Sequence, residues 1–375
     1  MNNQEQSHAT DSSAAHDYTA QVQPGPVEDQ WSGIDRIVAI GDVHGDYPGY
    51  QEALLQAGVI DPPGNWIAGK NHLVQIGDIA DRGPDSARII RHMKQLEQQA
   101  EEAGGRVHAL IGNHELLNLN GDLHYVHPGE FEALCNDRSE QFRTEYQQQD
   151  STEHDKATIT SLYMPRRKSK ESSDIPLGFA EHREHWRVDG EFGKWVAGHN
   201  TVIKINKVLF VHAGISPKYG NWTIRSMNER VRQELQALER FDNPVAADDL
   251  GPLWYRGLAL DEEAVEESYV DELLKFHGVD HVVVGHTPCY ETIVPRYQGK
   301  VVVIDSGISG FYGGSVTSLV IEDGQMLNLH RGERITIPIG PQGLLNYYRQ
   351  VAELEPASVS LREAISRLEA PGTYR

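Results

Sequence analysis

Three short apolar runs in the first third of the chain stop in the same way. Ile34 to Ile40 is followed by Gly41-Asp42, Leu73 to Ile76 by Gly77-Asp78, and Val107 to Ile111 by Gly112-Asn113. Each run has the length and apolar content of a buried strand. Between them lie helical patterns. Tyr47 to Ala57 is one; the other carries Ala87, Ile90, Met93, Leu96 and Ala100, with Pro84 suited to its first turn and Gly104-Gly105 stopping it. Strands alternating with helices make an α/β fold, in which functional groups collect at the carboxyl ends of strands. Asp42, Asp78 and Asn113 all stand at such ends.

The same pattern returns later. Strand Val208 to Val211, helices Thr223 to Arg240 and Glu262 to His277, and strand His281 to Val284 follow one another. Val301 to Ile304, Ser315 to Ile321 and Gln325 to His330 read as antiparallel strands with Gly turns. Two more polar clusters follow strands: Val211-His212-Ala213-Gly214 and Gly285-His286-Thr287. Residues 1–30 read as a disordered polar tail. Residues 31–342 read as one domain with a mostly helical insertion at about 115–200, and 343–375 as a C-terminal helical segment.

Composition narrows the function. The chain has 375 residues and a formal charge of −21, which argues against nucleic acid or an anionic membrane as partner. No stretch approaches the ~18–20 apolar residues of a membrane span. Cys135 and Cys289 are too few for a disulfide framework. Residues 1–30 lack Lys and Arg, unlike the start of a secretory signal or an Arg-rich transit peptide. A cytoplasmic location is therefore expected, with periplasm or secretion the alternative if a leader has been removed.

The five clusters offer Asp, Asn and His without Cys, a ligand set suited to Mn, Fe or Zn. Asp42 and His44 suit one metal; Asn113, His212 and His286 suit a second; Asp78 suits a bridge between them. Two metals about 3.5–4 Å apart lower the pKa of a bridging water and neutralise phosphate oxygens. The remaining residues then find roles. Arg82 and Arg256 could grip a phosphate by bidentate hydrogen bonds. His114 could protonate a leaving oxygen, and Asp81 could orient that imidazole and keep it charged. The expected reaction is in-line attack by the bridging hydroxide, without a covalent phosphoenzyme.

Gly-Asp-x-His-Gly at 41–45, Gly-Asp-x-x-Asp-Arg-Gly at 77–83 and Gly-Asn-His-Glu at 112–115 resemble the phosphoprotein phosphatase family of metallophosphoesterases. Val211-His212-Ala213-Gly214 resembles that family's His-Gly-Gly element with Ala213 in place of a Gly, and Gly285-His286-Thr287 matches its last metal histidine. Asn120-Gly121-Asp122-Leu123-His124-Tyr125 and Gly251-Pro252-Leu253-Trp254-Tyr255-Arg256 look like the Shewanella-like branch, with Arg256 at the second phosphate-binding arginine. The resemblance spans roughly residues 34–325. It implies a four-layer sandwich of two mixed β-sheets flanked by helices, two divalent metal ions, and a phosphoprotein or phosphopeptide substrate with phosphotyrosine preferred.

Two other readings stand beside it: a dinucleoside polyphosphate hydrolase, and a non-catalytic, metal-stabilised binding protein. Several motifs are set aside. Gly64 to Lys70 imitates a P-loop, but Asn71 replaces the magnesium-binding hydroxyl. Neither cysteine sits in a Cys-x5-Arg cradle. His182-Arg183-Glu184-His185 reads as a solvated helix face, and Arg166-Arg167-Lys168 as a solvated loop. The oligomeric state is not legible.

Overall fold

The computed structural model describes residues 27–153, 175–237, 243–260, 265–340 and 342–370. Two six-stranded sheets carry the chain. In spatial order the first holds Gln30–Trp31 (β1), Val202–Ile205 (β5), Val208–Val211 (β6), His281–Val284 (β7), Val301–Val303 (β9) and Val294–Arg296 (β8). The second holds Glu333–Thr336 (β12), Gln325–His330 (β11), Thr317–Glu322 (β10), Arg36–Ile40 (β2), His72–Gln75 (β3) and Arg106–Ala109 (β4). Each sheet has a parallel core of three strands, β6-β7-β9 and β2-β3-β4, and antiparallel neighbours. Both sheets are thus mixed.

The parallel cores are rich in Val, Ile and Leu, and their interior residues are buried, as strands covered on both faces require. Register aligns their carboxyl ends: Ile40 pairs with Gln75, and Gln75 with Ala109. Val211 likewise pairs with Val284, and Val284 with Val303. The two aligned ends meet. The His212 ring bonds the carbonyl of Ile76 at 3.0 Å.

Helices Tyr47–Gln56 (α1) and Ser86–Glu102 (α2) link β2, β3 and β4 and pack on the second sheet. Pro84 precedes the α2 N-cap, Asp85, instead of lying in the helix. Asn113–Asn120 (α3) then leads into Pro128–Leu134 (α4), Ser139–Glu153 (α5), Phe179–His185 (α6) and Glu191–Val196 (α7). Ile224–Gln236 (α8) and Glu267–His277 (α9) fall between β6 and β7, and Leu344–Leu354 (α10) and Val359–Glu369 (α11) follow the last strand. The fold is a sandwich of two mixed sheets flanked by helices, the architecture that the resemblance implies.

Further expectations need correcting. Residues 27–30, expected within the disordered tail, belong to the fold: Asp29 is buried and Gln30 begins β1, paired with Lys204. Val301–Val303 was expected to be antiparallel; it runs parallel to β7 and is antiparallel only to the edge strand β8. Four short strands (β1, β5, β8 and β12) were not anticipated. Three of them lie at sheet edges, and β8 contains Pro295, which an edge strand tolerates because it need not donate on its open side. His182 is not on a solvated face. It is fully buried, with its ring edge-on to Phe131 at 5.2 Å, because α6 packs against both α4 and α5. Residues 1–26, the Arg166-Arg167-Lys168 run and the other residues at 154–174, the ends of two expected helices (238–240 and 262–264) and 371–375 lie outside the described residues.

The helices after α3 touch the strand-end loops through Glu130 of α4. Its buried carboxyl accepts from the Asp81 N–H at 3.3 Å and from the Ser86 hydroxyl. Burial pushes this carboxyl up to about 8, with Asp81 adding to the rise. A carboxyl raised in the fold keeps a proton that the unfolded chain has lost, so stability falls as pH rises from about 4.5 to about 8. Glu130→Gln keeps the acceptor and removes the titration. Wild type should lose up to about 1.4 kcal/mol per pH unit relative to the variant over that window, read as diverging Tm curves. Parallel curves would contradict this.

Candidate active site

The strand-end loops turn sharply. His44, Asp78, Asp81, Arg82 and His286 all have φ between 43° and 73°. Such backbone costs of order 1–3 kcal/mol per non-Gly residue and collects at functional sites. Glycines let the loops close together. A Cβ on Gly77 would stand 2.6 Å from His212 Nδ1, and one on Gly285 would stand 2.5 Å from Asp42 Oδ1. Either contact would force the loops apart.

Glu115, one turn into α3, holds the loop after β3 in this shape. Its two carboxylate oxygens accept the N–H groups of Asp78, Ile79, Ala80 and Gly112 at 2.8–3.1 Å. The motif at 112–115 contained Glu115, but no role for it was legible there.

Asp78 lies at the centre. Its Oδ1 accepts from the His114 N–H at 2.9 Å and lies 3.4 Å from His212 Nε2. Its Oδ2 lies 3.8 Å from His44 Nε2 and 3.9 Å from His114 Nε2. Potential ligand atoms of His44, Asp78 and His114 lie within 4.8 Å of one another, and so do those of Asp78, His212 and His286. The two groups share Asp78. Asn113 joins the second through a 3.1 Å contact between its Oδ1 and His212 Nε2. Asp42 stands beside His286, whose N–H donates to both its oxygens at 3.2 and 3.0 Å. All six side chains expected as ligands are buried here, but Asp42, expected beside His44, falls in neither ligand group: it stands against the His286 N–H, and His114 is the residue grouped with His44.

Their chemistry fits cations. The Nδ1 atoms of His44 and His212 face the carbonyls of Ala80 and Ile76 at 3.0 Å. A carbonyl only accepts, so Nδ1 carries a proton in each ring and Nε2 is turned toward Asp78, the arrangement of metal-ligating imidazoles. His286 Nε2 is buried and has no hydrogen-bond partner among the described residues. Burial lowers the His44 imidazole to about 3 and His286 well below its ordinary value, so both are neutral. Burial and repulsion from Asp305 and Asp78 push the Asp42 carboxyl up. Burial would raise Asp78 too, but the imidazoles of His212, His114 and His44 outweigh it and hold that carboxylate low. Carboxylates buried this close together call for positive charge between them.

The other expected residues surround this centre. His114 Nδ1 donates to Asp81 Oδ2 at 2.6 Å, and Asn118 Nδ2 donates to Asp81 Oδ1 at 2.9 Å. Burial would lower His114, but Asp78 and Asp81 overcome it and raise the imidazole above its ordinary value. Arg256 donates from one guanidinium nitrogen to the His286 carbonyl at 2.7 Å and the Thr287 hydroxyl at 3.0 Å. The Arg82 guanidinium carbon lies 4.1 Å from the Tyr125 ring and 4.7 Å from that of Phe311. Asn118, Tyr125, Phe311, Tyr312 and Asp305 were not anticipated.

Residues 35–290 match the family model of the calcineurin-like phosphoesterases. An uncharacterised protein of Schizosaccharomyces pombe is 35% identical over 291 residues, covering 74% of this chain and 74% of its own length. Shewanella-like protein phosphatase 2 of Arabidopsis thaliana is 28% identical over 295 residues, 73% of this chain and 72% of that protein. The solved structure of a cold-active protein-tyrosine phosphatase from a psychrophilic Shewanella is similar with a TM-score of 0.62 and 31% identity. It covers 83% of this chain and 82% of that one.

Because both ligand groups share Asp78, its loss should disturb both. Wild type loaded with manganese and desalted should retain two cations per chain by elemental analysis, and Asp78→Asn at most one. In chelator the variant should melt no lower than wild type. Retention of two cations by Asp78→Asn would contradict the shared role.

Proposed function

The chain belongs to the calcineurin-like phosphoesterase family, on its Shewanella-like protein phosphatase branch, and from that premise we propose a two-metal protein phosphatase that prefers phosphotyrosine. The six buried side chains Asp42, His44, Asp78, Asn113, His212 and His286 hold the divalent cations. When bound, the cations neutralise phosphate oxygens and lower the pKa of a water.

The protein's own groups do the rest. Arg82 and Arg256 bind the phosphate oxygens from outside the ligand cluster, and their planar forks set its orientation. His114 holds a proton at Nε2, because Nδ1 is committed to Asp81 and the neighbouring carboxylates favour the charged ring. That proton goes to the leaving oxygen. Asp81, fixed in turn by Asn118, keeps the ring aimed.

The observation that carries the preference is the aromatic wall at Arg82. Tyr125 and Phe311 flank the guanidinium, Tyr312 lies 5.9 Å from it, and Phe311 is 59% exposed. The loop bearing Phe311 is held by Asp46, which accepts the Gly310 N–H at 2.7 Å. A phosphate seated on Arg82 therefore has an apolar ring beside its ester oxygen. A phosphotyrosyl ring can stack there; the methylene of phosphoserine offers little to cover. The likeness to a Shewanella protein-tyrosine phosphatase supports the same reading.

An aromatic pair contributes about 0.5–1.5 kcal/mol beyond area. Phe311→Ala should thus lower kcat/KM for a phosphotyrosine peptide by about 2–12-fold and leave a phosphoserine peptide nearly unchanged. The two peptides and diadenosine tetraphosphate, assayed side by side, check the class. Equal loss on both peptides would remove the basis for the preference, and faster turnover of the dinucleotide would replace the reading. Chelator should abolish all turnover.

A further inference from the structure

One buried acid at the site has no part in the account above. Asp305 follows β9 on the loop Ile304-Asp305-Ser306-Gly307, and only 1% of it is exposed. Ile304 N–H donates to the Val284 carbonyl at 2.8 Å, so this loop leaves the sheet beside the one that carries His286. It also presses on the loop that carries Asp42. A Cβ on Gly41 would stand 2.5 Å from the Ile304 carbonyl oxygen and 3.2 Å from the Asp305 Cα. Asp305 Oδ1 accepts the Gly307 N–H at 3.1 Å, whereas Oδ2 is buried with no hydrogen-bond partner among the described residues. A buried ionised carboxylate with one oxygen unmet by the protein is costly unless a cation is near. Of the charged groups around Asp42, Asp305 repels it most strongly.

We infer that Asp305 belongs to the metal centre as a positioning residue, an additional buried carboxylate whose charge strengthens cation binding on the Asp42 side. The inference rests on the two-cation reading. Asp305 acts through the field it sets at the Asp42 side chain. Its Oδ1 stays with Gly307, so the amide of asparagine can replace the hydrogen bond but not the charge.

Asp305→Asn separates these roles. Full-length wild type and variant, stripped with chelator, are titrated with manganese by calorimetry and melted with and without the metal. The weaker manganese site should bind at least 10-fold less tightly in the variant, and the metal-induced rise in Tm should shrink. In chelator the variant should melt at or above wild type, because a buried like-charge repulsion is gone. Equal manganese affinity in the two proteins would overturn the inference while leaving the two-cation reading intact. A variant that melts lower in chelator, or fails to fold, would assign Asp305 a structural role and overturn it as well. Failure of wild type to bind manganese would overturn the underlying reading and this inference with it.

Discussion

Buried like charge is the constraint on which this structure turns. Asp42, Asp78 and Asp305 are each at most 2% exposed, and they stand where the carboxyl ends of two parallel strand triplets meet. Without compensation such a cluster would open the fold or take up protons. The surrounding groups are arranged to supply or accept compensation. The rings of His44 and His212 turn Nε2 toward Asp78, His114 is braced by Asp81, and two guanidinium groups stand at the rim. Net charge therefore misstates the field at the site. A chain at −21 can bind a phosphate because part of its acidity is committed to cations inside the molecule.

Holding those groups requires backbone that the chain would not adopt alone. Five site residues have positive φ. The strain is offset locally, chiefly by Glu115, which satisfies four N–H groups of the two loops at once. Glycine at 77 and 285 lets the loops from opposite sheets approach to contact distance. The rigid sheets fix where the loops begin, Glu115 fixes their shape, and the side chains follow.

Much of this was legible in the sequence, for a physical reason. A residue that directly follows a strand-ending glycine has few places to go, so Asp42, Asp78, Asn113 and His286 could be located from the pattern of apolar run and glycine. Asp305 also follows a strand, but its glycine, Gly307, comes two residues later, and the pattern misses it. Phe311 and Tyr125 were missed because their value lies in flanking Arg82, a contact between segments far apart in sequence. Edge strands such as β8 and β12 are only three and four residues long, so they carry no clear periodicity. The direction of β9 depends on which strand it neighbours, which local sequence does not encode. His182 was misread because helical spacing shows which residues share a face but not whether another helix covers it.

The central claim is that one carboxylate, Asp78, is shared by two cations. Anomalous diffraction from crystals of the full chain grown with manganese tests it most directly. The account predicts two peaks about 3.5–4 Å apart, both within bonding distance of the Asp78 carboxylate, one toward His44 and one toward His212. A single peak, or a pair of which only one touches Asp78, would contradict it.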